Sequence, residues 1–188
     1  QELLYPDAAV RAARDASGPS SVIVHWGDRP LRESDFGISD GQWHYRDSIR
    51  SDIRFQRRVG RTHGGNMHYT YIKYEPVFHG SGSSVAKGSM SRRRLDFASV
   101  CFDLAEVYAR AMTGQPDSLC GRYKDAYESA VRDVALNTDC GNRKELLSSY
   151  AADVAGMLDS LPDSLPVPGL GDYNAGFAAY CHGMGSAL

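Results

Sequence analysis

Several signatures are missing from this chain, and each absence removes a class of function. No apolar run reaches the roughly 20 residues that a bilayer-spanning helix needs, so no transmembrane segment is expected. No C-x-x-C pair and no His/Cys cluster has zinc-ligand spacing, and the H-E-x-x-H, G-x-x-x-x-G-K-[ST] and G-x-G-x-x-G sequences are absent. Those gaps argue against structural zinc, a zinc peptidase helix and the common phosphate loops. His63-x4-His68 straddles a turn, but no carboxylate pair completes a ligand set, so neither metal nor cofactor is expected. Acidic residues are scattered, and no two stand out as a glycoside-hydrolysis pair. There is no N-x-S/T sequon, so glycosylation adds nothing to a case for export.

What is present is an ordinary globular composition with an uneven charge distribution. Hydrophobic residues make up 42% and charged residues 23% of 188, enough for one domain with a sizeable core. The net charge of −2 conceals a basic block from His44 to Arg94, where eleven Lys/Arg face three acidic residues. His44, His63, His68 and His79 lie in that block, with Tyr45, Tyr69, Tyr71 and Tyr74 among them. Cations interleaved with aromatics attract an anionic partner and offer its flat parts a stacking surface.

The second half reads as helical. Phe97, Val100, Cys101, Leu104, Tyr108 and Ala111 recur at the spacing of one buried helix face, and Gly114 and Pro116 stop that helix. A second helix begins near Asp117, with Tyr123, Ala126, Tyr127, Ala130 and Val134 on its stripe. Asn142 and Glu145 suggest a capping box for a third, with Leu146, Leu147, Tyr150, Val154, Met157 and Leu158 facing inward and Pro162 ending it. A tandem Asp-Ser-Leu-Pro connector then leads to a short last helix around Tyr173–Cys181. The tyrosines of this half fall at core spacing and read as packing residues.

All four cysteines (Cys101, Cys120, Cys140, Cys181) lie in this half. The even count, with a chain that starts at Gln1, leads to the expectation of a secreted, disulfide-bonded protein. A helix rises 1.5 Å per residue, so Cys120 and Cys140 at its two ends are about 25–30 Å apart, too far for a disulfide. Antiparallel neighbouring helices bring Cys101 near Cys140. The expected pairs are Cys101–Cys140 and Cys120–Cys181.

The first half is less regular. Pro6 to Ala16 reads as a short helix, Ser21–Trp26 as a buried strand, and Gly27 to Gly41 as turn-rich. Ile53–Thr62 and Met67–Glu75 flank a hairpin turn placed on Gly64-Gly65. The expected fold class is α+β, a small antiparallel sheet packed on helices, in a single domain with a β-rich layer over 1–90 and a helical layer over 91–188.

With that turn, alternation puts Ile53, Phe55, Val59, Ile72 and Tyr74 on one face, with Arg57, Arg61 and His68 towards the turn. The other face carries Arg54, Gln56, Arg58, Met67, Tyr69, Tyr71 and Lys73, a basic and aromatic platform. The competing reading is an ordinary set of cross-strand contacts, with Arg58 opposite Tyr71. Arg92, Arg93 and Arg94 open the first C-terminal helix, where the macrodipole disfavours cations unless an anion or an acidic surface compensates. They read as a further anion site, as partners of the acidic helical half, or as a cleavage site in an exposed Gly80–Ser91 linker.

Two functions from different classes fit these residues. The first is a secreted, toxin- or effector-like binding protein whose hairpin (Arg54, Arg58, Tyr69, Tyr71, Lys73, with Arg92–Arg94) engages an anionic polymer or surface: nucleic acid, acidic polysaccharide, membrane or cell wall. The second is a metal-independent nuclease using His68, His79, Glu75 and Arg61 in acid–base catalysis and charge stabilisation. A third reading has the charge halves satisfying each other within the chain or across a homodimer.

Overall fold

A computed structural model describes residues 21–39, 49–64 and 67–161, without the side chains of residues 62, 64, 67 and 69. The helices expected at Pro6–Ala16 and Tyr173–Cys181 lie outside the described residues, as do His44, Tyr45 and Cys181.

Among the described residues the first half builds two three-stranded sheets. In one, β1 (Ile23–His25), β5 (Met67–His79) and β4 (Ile53–Gly64) run antiparallel in the order β1-β5-β4. The other joins β2 (Gly37–Ser39), β6 (Ser84–Ala86) and β3 (Ile49–Arg50); β2 runs parallel and β3 antiparallel to β6. The second sheet places a strand within the turn-rich Gly27–Gly41 stretch and another within Gly80–Ser91, the stretch read as an exposed linker. Val85 is buried at the centre of β6, and the Ser83 hydroxyl accepts from Asp52 N and donates to His79 O, both at 2.8 Å. The linker is therefore partly ordered in a sheet, while Lys87 and Gly88 beyond β6 are exposed.

Among the described residues the second half forms three helices: α1 (Arg92–Met112), α2 (Asp117–Thr138) and α3 (Lys144–Ser160). The fold is α+β, as the periodicities imply. Helix α1 is central, packing on β5, α2 and α3, and so it is buried well beyond a single stripe. Phe78 of β5 meets Phe102 of α1, while Tyr74 packs by Ala109 and Met112 and Ile72 accepts from Gly114 N at 3.0 Å. Helix α1 is therefore antiparallel to β5, its C-terminal end beside the middle of the hairpin. Arg110 ties the layers together. Its guanidinium donates to Leu158 O and Leu161 O at 2.9 Å, pairs with Glu106 at 2.8 Å and lies over the Trp26 ring.

The third helix departs from the expected cap. Its N-cap is Arg143, and the Asn142 amide donates to Asp139 instead. The start is displaced because Asp139 and Cys140 both adopt left-handed backbone angles (φ 51° and 50°) that turn the chain sharply. Leu146 is exposed, while Leu147, Val154 and Met157 face the core.

Cys101, Cys120 and Cys140 are present as buried thiols. Burial, with Cys140 nearby, pushes the Cys101 thiol far above its ordinary range. Cys120 lies in the other cluster, with Tyr74 and Met112. On oxidation, Cys101 is expected to link to Cys140 and not to Cys120. Non-reducing peptide mass spectrometry checks this, and a Cys101–Cys120 peptide would contradict the helix packing.

Candidate anion-binding surface on the hairpin

Strands β4 and β5 are twelve and thirteen residues long, much longer than the strands around them. Only their proximal half meets the body. Phe55 stacks edge-on to Tyr127 at 5.3 Å, and Tyr74, Pro76 and Phe78 are buried. Arg57, Arg58, Val59, Arg61, His63, His68 and Thr70 are all exposed, so the distal half presents both faces to solvent. Val59, at 65% exposure, shows that the core face becomes wet before the turn.

The register differs from expectation by one step at the turn. Gly64 pairs with Met67, so residues 65–66 connect the strands. Arg58 lies opposite Lys73, Arg61 opposite Thr70, and His63 opposite His68. Each partner differs from the expected one by two residues, an even number, so the two faces keep their expected membership. A physical reason is visible at Gly60, which pairs with Tyr71: the ring covers the glycine, and any Cβ there would run into it. An aromatic laid over a cross-strand glycine restores the packing that the glycine lacks.

Arg54, Arg58, Tyr71 and Lys73 therefore share one face. Tyr69 pairs with Thr62 on that same face by its backbone; its side chain is outside the described residues. Acids partly compensate the platform. Asp52 holds Arg54 at 2.6 Å, and Glu75 takes Lys73 at 2.6 Å and Arg58 at 3.3 Å. On the other face Arg57 approaches Asp117 at 3.7 Å, and Arg61 has no ion-pair partner among the described residues. Strands β4 and β5 together still carry five Lys/Arg against one acid. Beside the proximal end, Ile53, Arg54, Phe55, Lys124, Tyr127 and Glu128 line an open groove of about 260 Å³.

The Arg54 guanidinium hydrogen-bonds Asp52 and holds its carboxyl below the usual carboxylate range; the Lys73 ammonium, with Arg58, does the same for Glu75. A depressed folded pKa stabilises the fold above the ordinary carboxylate pKa of about 4, and that contribution is lost as pH falls through the lower folded value. Below that window both acids are neutral, and Arg54, Arg58 and Lys73 stand uncompensated. Lys73→Ala is expected to raise the Glu75 titration midpoint towards the ordinary value, as read by carboxyl NMR. A midpoint that stays put would show the lysine contact to be absent in solution.

The expected catalytic set is not brought together. His68 and His79 are eleven residues apart on one strand, about 36 Å at 3.3 Å per residue. Glu75 is on the opposite face from His68 and is occupied by Lys73 and Arg58, while Arg61 faces Thr70. Nor does the arginine run join the platform. Arg92–Arg94 lie at the N-terminal end of α1, about 30 Å along the axis from the end beside Ile72. The dipole problem there is met locally: the Ser91 hydroxyl caps Arg94 N, Arg92 pairs with Asp96 at 2.9 Å, and Arg94 donates to Ser89 O. The His63-x4-His68 spacing marks the two histidines in the sequence, but it becomes a direct cross-strand contact only in the observed register.

No family model, curated protein or solved structure matches this chain.

Proposed function

We propose that this is a secreted, toxin- or effector-like binding protein whose projecting β4–β5 hairpin engages an anionic polymer. The observation that carries the reading is a two-stranded arm, exposed on both faces distally, with five cations against one acid. Such an arm gains by releasing counterions from a polyanion, and the half-buried Tyr71 beside Arg58 and Lys73 offers a ring to a base or a sugar. Glu75 tunes the face without reversing its sign. Acid–base catalysis is not proposed, because the histidines assigned to it share no cleft.

The test is binding of the full chain to a labelled single-stranded oligonucleotide and to a sulfated polysaccharide, followed by anisotropy over a range of salt. The expected result is an affinity whose logarithm falls linearly with the logarithm of salt concentration. For the oligonucleotide, Tyr71→Ala is expected to weaken binding further by about 1–3 kcal/mol if bases stack. No binding to either polymer at low salt would dispose of the reading.

A further inference from the structure

His63 and His68 stand directly opposite each other next to the hairpin turn. Their Nδ1 atoms are 3.2 Å apart, the rings are nearly perpendicular at 87°, and their centroids are separated by 4.4 Å. Both rings are exposed, and neither has an acidic partner among the described residues. Each neutral imidazole has one lone pair and one N–H. With Nδ1 facing Nδ1, the contact is a hydrogen bond only if a single proton sits between them.

That spacing has a second meaning. Two imidazole nitrogens bound at about 2.0–2.1 Å to one tetrahedral ion are about 3.3 Å apart, and two cis ligands of a square or octahedral ion about 3.0 Å. The observed 3.2 Å lies between these values. We propose that His63 and His68 form a two-nitrogen site for a borderline first-row divalent cation, of which zinc is the probe of choice, with the ion replacing the shared proton between the two Nδ1 atoms. The paired backbones of β4 and β5 hold the rings in this arrangement, so little ordering is needed on binding. No third His, Cys, Asp or Glu joins the pair among the described residues, so the remaining coordination positions fall to water. Arg61, on the same face two residues from His63, opposes the incoming charge and makes the ion exchangeable. The site is independent of the anion-binding reading and stands or falls separately.

The experiment is an NMR titration of the full chain with zinc chloride, with magnesium chloride as a control because magnesium prefers oxygen ligands. Zinc is expected to move or broaden the His63 and His68 ring signals together, at one ion per chain, and magnesium to move neither. His63→Ala and His68→Ala are each expected to weaken binding at least about tenfold, the worth of roughly 1.4 kcal/mol. Both positions are exposed, so the fold is retained, which far-UV circular dichroism checks. The double exchange His68→Gln/Gln56→His keeps the number of histidines and moves one ring to the other face, seven residues from His63, and it too must lose the site. If only one ring responds, or if either alanine variant or the exchange variant binds zinc undiminished, the pair is not the site.

Discussion

Reversing two charges on the distal hairpin, Arg58→Glu with Arg61→Glu, is expected to lower affinity for a polyanion by about 100-fold at moderate salt. The salt slope should become shallower by about two, one for each phosphate or sulfate that the arm no longer neutralises. The expected effect on stability is small, because both side chains are exposed and exposed ion pairs contribute about 0–1 kcal/mol. Arg58→Glu also faces Glu75 and Lys73, so a modest local cost is included. The control is Arg92→Glu. Arg92 is 83% exposed at the far end of α1, so its reversal changes net charge by the same amount per residue without touching the arm. If Arg92→Glu weakens binding as much per charge as the hairpin variants do, bulk electrostatics and not the arm accounts for it.

The largest expected effect on stability is at Gly141. Its φ of 93° lies in the region that side chains other than glycine's rarely adopt, and a Cβ there would strike the carbonyl oxygen of Arg93 and approach Phe97 Cβ at 3.1 Å. The obstacle is helix backbone, which cannot swing aside as a side-chain end can. Gly141→Ala is therefore expected to cost about 3 kcal/mol, as backbone strain of about 1 kcal/mol plus overpacking of about 2 kcal/mol. A chain of this size should lose about 6–12 °C in Tm, measured by thermal unfolding. Gly121→Ala, on an exposed turn of α2 with nothing near its Cβ, is the matched control and should be neutral or slightly stabilising. Equal losses at both positions would mean that α1 and the α2–α3 junction are not in close contact.

Much of the helical half is readable from residue order. The period of Phe97, Cys101, Leu104 and Tyr108 marks α1 because a helix that buries a face must repeat apolar residues every three or four positions. Pro116 fixes the break between α1 and α2 by removing a backbone donor. Face membership on the hairpin follows from alternation, and it holds in spite of the shifted turn because the shift is even. The start of the third helix is misleading in the sequence, since Asn142 and Glu145 resemble a capping box while the chain is still completing the turn that Asp139, Cys140 and Gly141 make. The parallel β2–β6 pair leaves no local trace, because strands of three residues carry no periodicity and these two meet across a long stretch of chain.

Local physics, written in the order of residues, determined the helices, the basic hairpin and which of its side chains share a face, because each depends on neighbours a few positions away. The tertiary structure decided the rest. It placed Glu75 between Arg58 and Lys73, sent Arg92–Arg94 to the opposite end of α1, kept His79 far from His68, and set His63 against His68. Those relations turn on a one-step choice at a hairpin turn and on the direction of one helix against one strand, and both are selected by long-range packing such as Tyr71 on Gly60 and Phe78 on Phe102.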